Sequence, residues 1–214
     1  MIIGGHLSLA NFGLYNIAFF LASFPFMLGG MVMRRLLIPI YRESPPLASA
    51  ANFARLRKMR VAATGALSVM TMILAFSGIW LVQIMYDDRY AMAGGIVVLI
   101  AVIQMPALIM MTCDQAALAM GDSRRFFVLT LVRAVFVVTG MLIGLQSAGL
   151  IGALVGQGLA NVAAYPVLVW LIARHGAWDP AHDATFAIFG VVFGGLALWL
   201  NWGAVAAVAG LQAG

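Results

Sequence analysis

Long apolar stretches alternate with short polar connections along this chain of 214 residues. Each stretch has about the 20 residues that an α-helix needs to cross ~30 Å of hydrocarbon. The pattern therefore predicts an all-α membrane protein with a bundle of about six transmembrane helices. We place these helices at residues 13–33, 61–85, 94–120, 126–145, 150–172 and 185–208.

The composition agrees with a surface that contacts lipid. Hydrophobic residues make up 64% of the chain and charged residues only 9%, whereas about a quarter of a soluble domain is charged. The net charge of +5 would favour nucleic-acid binding in a soluble protein. Here the basic residues flank apolar stretches, where they orient a membrane protein and contact anionic headgroups. Membrane lipids, and not nucleic acid, are therefore the expected partners.

Basic residues concentrate at one end of the predicted helices. Seven lie between positions 34 and 60, two lie in the turn at 121–125 and one lies between 174 and 183, whereas the opposite end carries only Arg89. Connections rich in Lys and Arg stay in the cytoplasm. The asymmetry predicts a cytoplasmic basic loop at 34–60 and two external chain ends. An external start leads us to expect that residues 1–214 are the C-terminal transmembrane bundle of a longer, multi-pass transporter of the bacterial inner membrane.

The basic loop has a helical pattern of its own after Pro45 and Pro46 break the chain. Phe53 and Leu56 stand at helical spacing in the run ASAANFARLRKMR. This pattern predicts a short interfacial helix whose cations contact lipid headgroups. A gating or coupling element is the alternative interpretation.

One acid and one base lie inside the predicted third and fourth helices. Asp114 is roughly 9 Å before the turn at 121–125, and Arg133 is roughly 12 Å after it, at ~1.5 Å per residue. The short turn makes these helices antiparallel neighbours, so we expect both side chains to face one another or one wet cavity. A charge at membrane depth is costly unless it is paired or hydrated. The alternatives are snorkelling of Arg133 to the interface and a solvated Asp114 at the helix end.

Three polar side chains inside the helices are further candidates for substrate binding. Gln157 and Asn161 are four residues apart on one face of the fifth helix, and Gln104 lies two residues before Pro106. They either form hydrogen bonds between helices or line a polar cavity.

Internal prolines predict bends in three helices, at Pro25, Pro106 and Pro166. Such bends act as hinges in transporters, or remain static kinks that packing accommodates. Glycines recur at spacing four and predict closely packed helices. These glycines are Gly140 and Gly144, Gly152 and Gly156, and Gly190 and Gly194.

The sequence contains no pattern typical of an enzyme. We find no metal-ligand spacing and no Ser–His–Asp set, and all three histidines (His6, His175 and His182) lie outside the predicted helices. The single cysteine, Cys113, cannot form an intrachain disulfide. We therefore expect no catalytic residues, no metal and no cofactor.

The stretch at 12–43, FGLYNIAFFLASFPFMLGGMVMRRLLIPIYRE, resembles the second helix of a repeat in polysaccharide flippases. These proteins are the O-antigen and exopolysaccharide exporters of the multidrug/oligosaccharidyl-lipid/polysaccharide superfamily. The similarity extends to Tyr86–Tyr90 and to the turn Ala119–Arg124. In the first stretch it rests on Gly13-Leu14-Tyr15, Ala18, Pro25 and the exit Leu37-Ile38-Pro39.

The resemblance implies two six-helix bundles that work by alternating access on undecaprenyl-diphosphate-linked sugars. The chain would begin just before the second helix of the C-terminal bundle and continue into a thirteenth helix, without the N-terminal bundle or the seventh helix. The implied function is translocation of lipid-linked oligosaccharide for exopolysaccharide or lipopolysaccharide synthesis. The implied protein partners are the missing N-terminal bundle or a polysaccharide polymerase.

Within this interpretation Arg133 would bind the diphosphate, and Asp114 would neutralise Arg133 or carry a coupling proton. A drug/cation antiporter of the same superfamily is one alternative. It would need buried carboxylates, and Asp114 is the only acid inside the predicted helices. A non-transporting structural membrane subunit is the other alternative.

We expect a reporter fused at Ser49 to be cytoplasmic and a reporter fused at Asp88 to be external. The reason is the concentration of Lys and Arg around the first position and not around the second. Alkaline phosphatase and green fluorescent protein fusions measure the two locations. The reverse pattern would overturn the orientation.

Overall fold

In a computed structural model, which describes residues 8–210, the backbone forms helices and none of these residues lies in a strand. Three short 3₁₀ turns, Pro46–Ala48, Asp88–Tyr90 and Val208–Gly210, accompany nine α-helices within this part of the chain. The helices are α1 (Leu9–Ala22), α2 (Phe24–Glu43), α3 (Ala50–Met85), α4 (Met92–Ile103), α5 (Met105–Met111), α6 (Gln115–Ala119), α7 (Ser123–Ala173), α8 (Pro180–Leu200) and α9 (Trp202–Ala207).

Several of these helices are suited to a membrane. Four segments are long and apolar enough to cross it, and the stretch from Asp88 to Ala119, bent by 42° at Gln104, would be a fifth. Large apolar side chains such as Trp80, Ile143 and Trp199 are exposed on the outside of the bundle. The all-helical class is therefore confirmed for the described residues, and the four or five long apolar helices fit a multi-pass membrane protein. The four segments are Phe24–Ala48, Ala50–Met85, Ser123–Ala173 and Pro180–Leu200.

Helix α7 is a hairpin of two antiparallel helices. Its backbone leaves the helical region at Ala148 and at Gly149, where φ is 57° and ψ is −140°. The two halves, 123–147 and 150–173, then approach so closely that a Cβ on Gly140 would lie 2.6 Å from the carbonyl oxygen of Gly156. This geometry confirms the predicted close packing of glycines and agrees with separate fourth and fifth helices.

Two of the three prolines accompany a helix break. Helix α2 begins after Ser23, two residues before Pro25, and α5 begins after Gln104, two residues before Pro106. The Gln104 side chain donates a hydrogen bond of 2.9 Å to Ser23 Oγ, so the two breaks face one another. The second half of α7 has no break at Pro166.

The predicted loop at 34–60 is mostly helical. Helix α2 continues to Glu43 and α3 begins at Ala50, so the separate interfacial helix was a wrong prediction. Leu37, Tyr41 and Leu56 are buried within these extensions. Helices α2 and α3 thus continue into a segment whose average hydrophobicity is low, because an amphipathic helix needs apolar residues only on the face that packs inward.

Two clusters of buried side chains form the interior. One, with Leu37 and Leu108, lies toward the basic end, and the other, with Ile96 and Leu154, lies toward the opposite end. The basic connections meet at one end: Arg42 Nε donates to the carbonyl oxygen of Ala119 at 3.4 Å, and Leu47 packs on Gly176. The placement of these connections on one side is therefore confirmed.

We expect Gly144→Ala to force the halves of α7 apart, because its methyl group would overlap the carbonyl oxygen of Gly152. Overpacking of this kind costs about 1–3 kcal/mol. Thermal unfolding of the purified chain in detergent, followed by circular dichroism, measures the loss. Gly13→Ala is the matched control, since its new methyl group would meet nothing within 4 Å. Equal midpoints for the two variants would contradict a tight hairpin.

Candidate functional site

Asp114 and Arg133 lie next to one another, as the turn between their helices predicted. Arg133 Nη1 is 3.5 Å from Asp114 Oδ2, and the two side chains are 26% and 10% exposed. Gln115 Nε2 donates to the other carboxylate oxygen of Asp114 at 2.9 Å. The acid is therefore buried and paired with Arg133. This geometry differs from both alternatives, a solvated Asp114 and an Arg133 that snorkels alone to the interface.

Some hydrogen-bond donors of the Arg133 guanidinium have no partner. Its Nε and Nη2 atoms are buried and have no hydrogen-bond partner among residues 8–210. An arginine carries five N–H donors in a planar fork, and a buried donor without a partner costs about 1–3 kcal/mol. An anionic group that accepted these two bonds would remove that cost.

A second charged cluster lies at the basic end, and the sequence did not reveal it. Arg60, which we expected to contact lipid headgroups, is 1% exposed. Its Nη1 donates to the carbonyl oxygen of Ala177 at 2.9 Å, and its Nη2 lies 3.1 Å from Asp183 Oδ1. The expectation was wrong because Leu56, Arg60 and Thr64 share the inward face of α3, with a spacing of four residues.

His182 belongs to the same cluster. It is 2% exposed, although its position lies outside the predicted sixth helix. Its Nδ1 is 2.8 Å from Asp183 Oδ1 and its Nε2 is 2.9 Å from Thr64 Oγ1. The expectation that histidines lie outside the helices was therefore wrong for His182. His175 lies in the turn after α7, and His6 is outside the described residues.

The start of α8 explains how these side chains are positioned. Asp179 caps the helix by accepting a hydrogen bond of 3.1 Å from the backbone N–H of His182, and Pro180 fills the first helical position. The cap is itself held by Arg57, whose Nε is 3.0 Å from Asp179 Oδ2. The Asp-Pro pair at 179–180 was the sequence signal for a helix that begins earlier than residue 185.

A helix interruption connects the two charged clusters. Residues 112–114 separate α5 from α6. Thr112 Oγ1 accepts a bond of 3.4 Å from Thr64 in one cluster, and Asp114 pairs with Arg133 in the other. Cys113, between them, is fully buried. This three-residue segment inside the predicted third helix therefore supplies polar groups to both clusters.

An apolar cavity of about 700 Å³ adjoins the second cluster. It lies between α4–α5, the second half of α7, and α8, and its polar side chains are Asn161, Tyr165 and Asp183. Tyr165 OH donates to Asp183 Oδ2 at 2.8 Å. Because the lining residue Val191 is 76% exposed, the cavity opens on the outer face of the bundle.

The other predicted polar residues have separate surroundings. Asn161 Nδ2 donates to the backbone carbonyl oxygen of Gln157 at 3.1 Å, within its own helix. Asn161 lines the cavity, whereas Gln157 is not among the lining residues. Gln104 bonds across helices to Ser23. These three residues thus do not form one site with Asp114 and Arg133.

The turn before α7 is a small ionic junction. Asp122 caps the helix, and Arg125 Nη1 donates to Asp122 Oδ2 at 2.7 Å. This hydrogen bond lowers the pKa of Asp122 below its ordinary value. His175 Nε2, at the far end of α7, lies 3.3 Å from the same oxygen. The junction therefore closes the hairpin at its basic end.

We expect Arg60→Met to destabilise the protein by about 3–5 kcal/mol, because it leaves the buried carboxylate of Asp183 without its counter-charge. Adding Asp183→Asn to this variant should restore part of the loss. Arg55→Met is the control, since Arg55 is exposed on the same helix and surface substitutions usually change stability by about 0.5 kcal/mol or less. Thermal unfolding in detergent measures all three. A loss for Arg60→Met no larger than for Arg55→Met would contradict a structural role.

Comparison of the chain with protein-family models, with curated proteins and with solved structures finds no match. Within residues 8–210 no group of three or more His, Cys, Asp or Glu side chains could hold a metal ion. The function therefore has to be argued from the charged clusters, the cavity and the helix breaks.

Proposed function

We propose that this chain is part of a transporter that moves a lipid-linked oligosaccharide across the bacterial inner membrane, for exopolysaccharide or lipopolysaccharide synthesis. The observation that carries the proposal is Arg133, with two buried donor nitrogen atoms, Nε and Nη2, that lack partners in the described chain. The headgroup of such a substrate carries a diphosphate. Arginine binds phosphate oxygens with paired, charge-assisted hydrogen bonds.

Asp114 gives the empty site a means of staying neutral. An isolated guanidinium at membrane depth is costly, and a carboxylate 3.5 Å away offsets its charge. The distance lies at the long end for an N–H to oxygen bond, so the pair is loosely held. A diphosphate with its higher negative charge would compete with Asp114 for Arg133.

The helix breaks also support a transporter. Transporters typically form their binding sites from interrupted helices whose irregular backbone lines a cavity. Gln104 and the interruption at 112–114 provide two such breaks between α4 and α6. If the two halves of α7 each cross the membrane, together with α2, α3, α4–α6 and α8, the chain makes about the six crossings of one bundle of such a transporter.

A drug/cation antiporter is the second candidate, and one observation favours it. Asp183 is a second buried acid, and it lines an apolar cavity beside Tyr165 and Phe186. Apolar and aromatic walls with one carboxylate suit an organic cation. The carboxylate is already engaged by Arg60 and Tyr165, which lowers its availability to a ligand.

We expect Arg133→Ala to abolish export of the lipid-linked polysaccharide, and Arg133→Lys to retain part of it, because lysine keeps the charge but loses the paired donors. The measurement is cell-surface polysaccharide in bacteria whose own copy of the transporter carries the variant. Arg124→Ala is the control, since Arg124 is exposed in the first turn of α7. Asp114→Asn should reduce export less than Arg133→Ala if the acid only balances charge, and equally if it carries a coupling proton.

Other outcomes would favour the other functions. Normal export by Arg133→Ala, with lost resistance to cationic drugs in Asp183→Asn, would replace the flippase with an antiporter. Normal export and normal resistance in both variants would indicate a structural subunit.

A further inference from the structure

The hydrogen bonds around His182 allow two protonation states with the same heavy-atom positions. We propose that His182 is a buried, reversible proton-binding site, with Asp183 as its counter-ion and with the hydroxyl groups of Thr64 and Thr112 as its adjustable partners. The site lies in the part of the bundle where α3, α8 and the break at 112–114 meet. The inference does not depend on what the protein transports.

In the neutral state the imidazole has one donor and one acceptor. Nδ1–H donates to Asp183 Oδ1 over 2.8 Å, and Nε2 accepts from the Thr64 hydroxyl over 2.9 Å. This tautomer avoids placing the lone pair of Nδ1 against the carboxylate oxygen. Both nitrogen atoms are therefore satisfied without an added proton.

In the charged state both ring nitrogen atoms donate, and the hydrogen bond between Nε2 and Thr64 reverses its direction. Nε2–H now donates to Thr64 Oγ1, whose hydroxyl turns to Thr112 Oγ1 at 3.4 Å. The Thr112 hydroxyl donates to the carbonyl oxygen of Ile109 at 2.9 Å. Rotation of one hydroxyl thus accommodates the proton, because a threonine hydroxyl both donates and accepts.

The charges around His182 determine what the proton changes. Arg57 and Arg60 from α3 balance Asp179 and Asp183 at the start of α8, so the cluster is neutral when His182 is neutral. Arg60 Nη2, 3.3 Å from Nδ1, opposes a second positive charge, while Asp183 at 2.8 Å favours it. The other titratable groups near these side chains are Tyr165 from α7, Tyr41 from α2 and Cys113 before α6.

Proton binding to His182 has a consequence for the wall of the cavity. Asp183 Oδ1 faces His182, and its Oδ2 accepts from Tyr165, which lines the cavity. Trp178 Nε1 lies 3.4 Å from Tyr165 OH on the exposed side. Charging His182 therefore strengthens the hold on one carboxylate oxygen and changes the hydrogen bonding of the cavity wall through the other.

The test is nuclear magnetic resonance of ¹⁵N-histidine in the full chain, reconstituted in lipid nanodiscs, between about pH 5 and pH 8, where histidine ordinarily titrates. His182→Gln assigns the signal of His182, and His175→Gln assigns that of His175. We expect the His182 signal to move reversibly from the neutral to the imidazolium position. Asp183→Asn should weaken its proton affinity by about tenfold or more, because the counter-ion is lost.

Thr64→Val is the second variant, and it removes the hydroxyl acceptor without changing any charge. We expect a weaker proton affinity here too, since the charged Nε2–H would be buried without a partner. A His182 signal that stays neutral or stays charged over the whole range in the unmodified chain would overturn the proposal. So would a titration that neither variant shifts while circular dichroism shows both to be folded. The experiment contains no transport step, so its failure would not count against the flippase.

Discussion

The buried ion pair between Arg60 and Asp183 holds the basic end of the bundle together. Arg60 comes from the third turn of α3, and Asp183 comes from the first turn of α8, so one contact joins elements more than a hundred residues apart. Two charges at this depth are tolerable only because each has several partners: Ala177 for the arginine, and His182 and Tyr165 for the carboxylate. The polar cluster thereby links one position on α8 to one position on α3.

Interrupted helices place polar groups where continuous helices would bury only apolar ones. The break at Gln104 meets the break at Ser23 through one hydrogen bond. The interruption at 112–114 supplies Thr112 to one charged cluster and Asp114 to the other. Side chains two residues apart point in directions about 200° apart at ~100° per residue, so this one segment contributes to charged clusters on its two sides.

Hydrophobic patterning was sufficient to predict the class of the fold and the proximity of Asp114 and Arg133, because both follow from helix length and a short turn. It was insufficient for the ends of the helices, since the charged turns of α2 and α3 bury only one face, with Leu37 and Leu56. The cluster around His182 was missed for the same reason. Its members, Thr64, Tyr165 and His182, come from α3, α7 and α8. The spacing of residues within one helix cannot show which residues of three separate helices come together.

The two arginines inside the bundle differ in what can reach them. Arg133 is about a quarter exposed through its other atoms, whereas its two unpartnered nitrogen atoms, Nε and Nη2, are buried. Arg60 is 1% exposed and also keeps one donor, Nε, without a partner in the described chain, but no ligand of any size can approach it. A proton on His182 needs no space of its own, because Nε2 already lies 2.9 Å from the Thr64 hydroxyl. The partly exposed Arg133 is therefore the residue at which the substrate of the proposed function would compete with Asp114, and the buried cluster is the one proposed to bind a proton.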